Sequence, residues 1–260
     1  MIRLTPSFKE KVWGSTCLEP LFPNSDRKIG EVWFEGVDNL PLLIKFLFTT
    51  EKLSVQVHPG DDYARIHHNS RGKTEMWYVL RAEPGAQIAA GFREPITPKR
   101  LREASLSGEI EDLLQWFDAA AGDTFFIPAG TVHAIGAGLT LCEIQQHSDV
   151  TYRLYDYGRP RELHLDQAVE VSALESSVEA RRFAQGEILV SCPYFTTSKL
   201  CISHSTKQIL APNAAELLAV VEGSGSLGEH PVKAGEVWYL EAGVREIELS
   251  GTATFLQILP

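Results

Sequence analysis

Cysteine is scarce in this 260-residue chain: four residues, Cys17, Cys142, Cys192 and Cys201, at irregular spacing. So few thiols, so placed, suggest neither a disulfide framework nor a cysteine zinc site, and they fit a reducing cytoplasm. Long apolar runs are missing as well. The most apolar stretch, Leu40 to Phe48, is interrupted by Lys45 and is far too short to span a bilayer. The opening segment, Met1 to Gly14, has no apolar core of the kind an export signal needs. Positive charge is the minority, with 24 Lys and Arg against 34 Asp and Glu and a net charge of −10. Without a basic tract a nucleic-acid partner is excluded, because nothing neutralises the phosphates. A small anionic substrate is not excluded, since a few cations gathered in one pocket dominate their local field.

What is present is a succession of short strand patterns. Glu51 to His58, Thr74 to Arg81, Thr124 to Pro128, Leu139 to Gln145 and Val150 to Tyr155 carry β-branched or aromatic residues at alternate positions, separated by Gly and Pro. Two stretches read as helical. Asp61 to His68 follows a Pro-Gly turn and has acidic residues in its first turn. Pro98 to Ala120 divides into Lys99 to Glu103 and Gly108 to Ala119, the second with an apolar stripe of Leu113, Leu114, Trp116 and Phe117. Many strands and few helices predict a mainly β fold, a barrel or jelly roll and not a parallel βα sheet.

An internal echo predicts two such units. Glu75 to Leu80 is followed by Ala121 to Gly130, and Glu216 to Val221 is followed by Ala234 to Gly243. Both pairs read as a strand and then Ala-Gly, an aromatic strand and Ala-Gly again. The expectation is a first unit over residues 1–170 with a helical insertion at about 98–120, and a second over 171–260. The position echoing His133 falls near Arg245 or Glu246, and no His-Pro precedes Glu216. The second unit is therefore expected to be metal-free.

Three segments carry chemistry. In Leu53-Ser-Val-Gln-Val-His-Pro59 the strand period puts Ser54, Gln56 and His58 on one face and the valines on the other. In Gly72-Lys-Thr-Glu75 the same period aligns Lys73 with Glu75. In Ile127-Pro-Ala-Gly-Thr-Val-His133 a tight turn runs into a histidine. Taken singly, each has an ordinary explanation as a loop or solvent-facing residue. Together, Gln56, His58, Glu75 and His133 form a nitrogen and oxygen donor set for one divalent metal ion, zinc foremost, with positions left open for water or substrate. That order of ligands is the pattern of a cupin metal site.

These segments resemble the type I mannose-6-phosphate isomerase family in its short bacterial form. The resemblance rests on Leu53 to Pro59, Gly72 to Glu75, Pro128 to Ala134, the Glu143 to Arg153 segment, Lys11 to Gly14 and Ile29 to Trp33, and it fades beyond about residue 165. It implies two cupin-like barrels and an aldose–ketose isomerase interconverting mannose 6-phosphate and fructose 6-phosphate through an enediolate. It also implies metal roles for Gln56, His58, Glu75 and His133, substrate contacts for Ser54 and Lys73, and placement of Arg153 over the reacting end with Glu143 nearby. Such chemistry needs a base and a group to hold negative oxygen. A carboxylate withdrawn from water makes Glu143 a candidate base, alongside a histidine or a metal-bound water. Lys45, between apolar neighbours, either snorkels outward or reaches a polar cavity as a substrate contact. Cys142, on the face opposite Glu143, reads as core.

His67, His68, His147, His164, His204 and His230 have no ligand partners at useful spacing and read as surface residues. The helical portion is smaller than in the larger members of that family, and Ile135 stands where many of them have tyrosine. Two other readings stay open: another cupin sugar isomerase or epimerase, and a sugar-phosphate sensor without turnover. The sequence leaves the oligomeric state open.

Overall fold

A computed structural model of the chain describes residues 1–175, 181–182, 188–209, 214–243 and 246–260. Its strands end where Gly, Pro and Asn interrupt the alternating pattern, and they assemble into three antiparallel sheets. The first has seven strands, in the order Arg181–Arg182, Asp123–Ile127, Glu75–Ala82, Leu139–Gln146, Leu42–Thr49, Ile29–Glu35 and Thr5–Ser15. The second has five: Tyr152–Tyr155, Val55–Val57, His133–Ile135, Gln87–Phe92 and Leu114–Asp118. The third has eight strands, drawn from the C-terminal half together with Ile2–Arg3. Among the described residues two strand pairings cross residue 170: Ile2–Arg3 with the Val237–Leu240 strand, and Arg181–Arg182 with Asp123–Ile127.

Burial explains the layering. The inner faces of the seven- and five-stranded sheets meet in a cluster containing Leu47, Trp77, Val79, Ile88, Ala90, Phe125, Ile135 and Leu141. The outer face of the five-stranded sheet, with Val55, Val57, Ala89 and Leu154, is covered by Leu101 and Ala104 of the Pro98–Ser107 helix and Ala168 of the Leu165–Val171 helix. The outer face of the seven-stranded sheet presents Ile44, Phe46, Phe48, Met76, Cys142 and Ile144 to Leu217, Ala219, Leu256 and Ile258 of the eight-stranded sheet. Cys142 is thus a core residue, and burial raises its thiol pKa. The C-terminal half encloses a further dry cluster that includes Leu218, Val220, Trp238 and Phe255.

The Asp61–His68 helix has the bounds its sequence predicts, and the Pro98–Ser107 helix is capped by the Thr97 hydroxyl, which accepts from the Arg100 amide at 3.2 Å. The helical expectation for Gly108 to Ala119 is corrected. A one-turn helix at Ile110–Leu113 gives way to the strand Leu114–Asp118, paired with Gln87–Phe92. The apolar run reads as a helical stripe because both faces of this strand are covered. Leu114 and Trp116 pack under the helices, while Phe117 faces the interior. Of the Glu51 to His58 expectation, only Val55–Val57 is paired as a strand, yet the alternation of faces extends beyond it.

The echo between the halves is also structural. Gly122 and Gly235 both have positive φ (90° and 91°) and each precedes a short strand, Asp123–Ile127 or Val237–Leu240, which is followed by a second positive-φ glycine, Gly130 or Gly243. Of the two positions expected to echo His133, Arg245 lies outside the described residues and Glu246 is an exposed residue opening the Glu246–Leu259 strand.

Candidate metal centre

Three local devices bring the predicted ligands together. Val55 and Val57 are buried under the helices, so Gln56 turns to the interior, where its strand position lies opposite His133 on one side and Arg153 on the other. Glu75 opens its strand on the same face as Trp77, which fills the interior. The Pro128–Gly130 turn is tied back to the first ligand segment, because the Gly130 amide donates to the His58 carbonyl at 2.8 Å. The left-handed φ of 89° at Gly130, with the Val171 carbonyl 3.0 Å from where a Cβ would lie, keeps that turn glycine-specific.

The result is a buried triad. His58, Glu75 and His133 place one donor atom each within 4.8 Å of one another. Nε2 of His58 lies 3.7 Å and Nε2 of His133 3.4 Å from Glu75 Oε1. Each imidazole is oriented through its other nitrogen, His58 Nδ1 to the Val150 carbonyl at 3.0 Å and His133 Nδ1 to the Thr131 carbonyl at 2.8 Å. A carbonyl only accepts, so Nδ1 carries the hydrogen in both rings and both Nε2 lone pairs face the carboxylate. Burial lowers the pKa of both histidines, His133 to about 3, which keeps them neutral. Burial pushes the Glu75 carboxyl up, but the Lys73 ammonium holds it well below the usual carboxylate range.

Glu75 Oε1 is buried and has no hydrogen-bond partner. An ionised oxygen left bare between two imidazole lone pairs is costly unless a cation completes it. The donor set therefore fits a divalent metal. Gln56 stands at the edge of this set, with its amide nitrogen 3.3 Å from His133 Nε2 and its oxygen 3.5 Å from Ser54 Oγ.

Around the triad runs a charged network. Lys73 is buried, ion-paired with Glu75 Oε2, 3.1 Å from His58 Nε2 and 3.8 Å from Glu143 Oε1. Lys45 does not snorkel. Its ammonium bonds Glu143 Oε1 at 2.9 Å and Gln145 Oε1 at 2.5 Å, and lies 4.6 Å from the centre of the Trp33 ring. The other Glu143 oxygen accepts from Trp77 Nε1 at 2.9 Å. A cavity of about 280 Å³ opens from this network, and its lining includes Ser54, Gln56, Lys45, Lys73, Glu143 and Arg153. Lys11 and Arg161 add to the basic side chains on its wall, against Glu31, Glu143 and Asp149.

Arg153 is not in an ion pair with Asp149 or Asp156. Asp156 is taken by Arg159 and Arg161. The Arg153 guanidinium donates to the Glu162 carbonyl at 2.8 Å, its Nε has no partner, and burial followed by the neighbouring Arg161 lowers its pKa. His164 is corrected from a surface residue to a half-buried one. Its Nδ1 accepts from the Arg153 amide at 3.1 Å, and its own amide donates to the Arg153 carbonyl at 2.8 Å. His67, His68, His147, His204 and His230 are exposed. Sequence reasoning passed over Trp77, Arg161, Lys11, Glu31 and Trp33 as site residues. The last three lie in the Lys11 to Gly14 and Ile29 to Trp33 motifs, which were the available signal.

No protein-family model matches the chain. The mannose-6-phosphate isomerase ManA of Bacillus subtilis is 35% identical over 302 aligned positions, spanning 95% of each chain. That alignment is longer than the present chain, so the relative carries inserted segments that this one lacks. The mannose-6-phosphate isomerase of Streptococcus mutans is 37% identical over 228 positions, 81% of this chain and 71% of that protein. Among solved structures, the mannose 6-phosphate isomerase from Bacillus subtilis superposes with a TM-score of 0.87 at 30% identity, over 98% of both chains. Two cupin-type expectations, the mainly β architecture and the His-Glu-His centre, thus meet relatives that align almost end to end, and the chain belongs to the mannose-6-phosphate isomerase family.

Proposed function

We propose that the chain is a metal-dependent aldose–ketose isomerase acting on mannose 6-phosphate and fructose 6-phosphate, with one zinc ion held by His58, Glu75, His133 and Gln56. The observation that carries this reading is the partnerless, buried Glu75 Oε1 between two oriented imidazole nitrogens. A bound metal would supply Lewis acidity and order the substrate oxygens. The rest is work for side chains. The cavity wall gathers Lys11, Lys45, Lys73, Arg153 and Arg161, which favours a phosphorylated sugar in a molecule whose net charge is −10. Ser54 offers a hydroxyl to the substrate. Lys73 fixes the Glu75 carboxylate and turns its charge to the cavity, and Lys45 holds Glu143 while facing the same space.

Isomerisation moves a proton between adjacent sugar carbons. Glu143, held by Lys45 at one oxygen and Trp77 at the other, is the carboxylate we assign to carry it. Arg153, with an unspent Nε donor, is assigned to the negative oxygen of the enediolate. The C-terminal half is assigned a structural role, since the metal-ligand group found among the described residues lies wholly in the first 170. Among the described residues no helix is long and apolar enough to cross a membrane, and the four cysteines are unpaired, which supports a cytoplasmic setting. A coupled assay that follows fructose 6-phosphate from mannose 6-phosphate, with and without chelator, tests the reading. Turnover that a chelator abolishes and zinc restores is expected. Undiminished turnover after complete metal removal would overturn it, and binding without turnover would point to a sensor.

A further inference from the structure

A second cavity, larger than the one beside the metal centre, lies elsewhere among the described residues. A cleft of about 700 Å³, against about 280 Å³ for the catalytic cavity, lies where the seven-stranded sheet meets the eight-stranded sheet. Tyr78 and Leu80 line it from the Glu75–Ala82 strand, and the strand period puts them on the face opposite Glu75 and Trp77. Nothing in the proposed chemistry uses it. We propose that this cleft binds a small organic anion, a phosphate, sulfonate or carboxylate carried on an apolar or ring-shaped body.

Size, surface and charge agree on that class. The volume is within the usual range for small-molecule sites. Its floor is apolar, with Leu21, Leu80 and Val221 beside the Tyr78 ring. Its rim carries Arg81, Lys199 and Lys233, with the Lys199 ammonium 6.0 Å from the Tyr78 ring centre. Among the described residues, neither Lys199 nor Lys233 is paired with a carboxylate. Of the two acidic residues on the wall, Glu222 accepts a hydrogen bond from Thr254 at 3.4 Å and Glu19 is exposed. Arg81 is shared with Glu83 at 3.9 Å, so Lys199 and Lys233 are the cations left to a ligand. Beside an apolar floor, on a chain with a net charge of −10, they favour an anion in this cleft.

The cleft is also preformed. Gly235 has φ of 91°, and a Cβ there would lie 2.3 Å from the Leu21 carbonyl oxygen. The Glu19–Leu21 wall is therefore seated against the Lys233–Ala234 wall by an approach that only glycine permits. A ligand meets walls already in place, and little of its binding energy goes into ordering them.

Anilinonaphthalene sulfonate, an aromatic anion that fluoresces when shielded from water, is a suitable probe on the full chain. Saturable binding of one probe per chain is expected. Lys199→Glu combined with Lys233→Glu should weaken it by about tenfold or more, and Arg153→Ala, in the catalytic cavity, should leave it unchanged. Neutral phenylnaphthylamine should bind at least about tenfold more weakly than the sulfonate. If the charge-reversed variant fails to fold, as judged by circular dichroism, Thr140→Trp fills the cleft without altering charge and should abolish binding. The proposal is overturned by any of three results: wild-type affinity in the cleft variant that folds, loss of binding in Arg153→Ala alone, or equal affinity for the neutral probe.

Discussion

Replacing Glu75 by Gln keeps the size of the side chain and removes its charge. Two consequences follow from the geometry, and they are separable. The first is loss of metal, because the bare Oε1 between the imidazoles is the anionic donor of the set. The second is independent of metal. Lys73 is fully buried and ion-paired with Glu75, and the next carboxylate, Glu143, lies 3.8 Å away and is already shared with Lys45. Breaking a buried pair by removing one partner costs about 3–5 kcal/mol. In a chain of this size each kcal/mol moves Tm by roughly 2–4 °C, so the chelated variant should melt roughly 6–20 °C below the chelated parent. Lys73→Met in the Glu75→Gln background removes the stranded charge and should recover most of that loss without recovering metal. The assays are calorimetry in chelator and elemental analysis after dialysis against zinc. Unchanged Tm in the chelated Glu75→Gln protein would show that the pair is not a buried charge pair. Full metal occupancy in the same variant would remove Glu75 from the ligand set.

Further substitutions probe the remaining assignments. His133→Ala or His58→Ala should lose most of the bound metal, measured as zinc per chain after dialysis, and full occupancy in either would dissolve the triad. Arg153→Ala should lower kcat far more than it raises KM for mannose 6-phosphate, since its guanidinium is assigned to charge that develops during reaction, and the reverse pattern would make it a ground-state phosphate contact. Glu143→Gln should reduce kcat by about 10²–10⁴ if its carboxylate carries the proton, and a near-normal rate would move the base elsewhere. Deleting residues 171–260 should give insoluble or unstable protein, because Ile44, Phe46, Phe48 and Ile144 lose the sheet that covers them. A soluble, fully active fragment would show the C-terminal half to be independent.

Much of the fold could be read in advance because local signals and burial agree in it. The Asp61–His68 helix has a Pro-Gly entry and acidic first turn, and the paired positive-φ glycines announce the same strand in both halves. The exception is Leu114–Asp118. There Leu114, Trp116 and Phe117 are all covered, so alternation vanishes and a buried strand looks like an apolar helical stripe. The gathering of the candidate metal residues was legible for the converse reason. The valines of Val55–Val57 lie on one face and Gln56 on the other, which fixes where Ser54 and His58 must point. Trp77, Arg161 and His164 were not, since their importance depends on which distant strand or turn lies beside them. The Lys45 contact with Glu143 joins residues 98 positions apart.

One sheet face therefore serves two purposes, and the changeover between them locates the site. Along the inner face of the seven-stranded sheet, Leu47, Leu141, Trp77 and Val79 form dry core, and one step along the same strands Lys45, Glu143, Gln145 and Glu75 replace them. Strand pairing makes the change coherent, because Glu143 lies opposite Lys45 on one neighbour and Trp77 on the other, and Gln145 lies opposite Glu75. Buried charges in such a place survive only as a mutually satisfied set. The oxygen left out of that set, Glu75 Oε1, is the one that faces the two imidazoles. A net charge of −10 described none of this, because charge at a site is decided by which side chains a register brings to one end of one face.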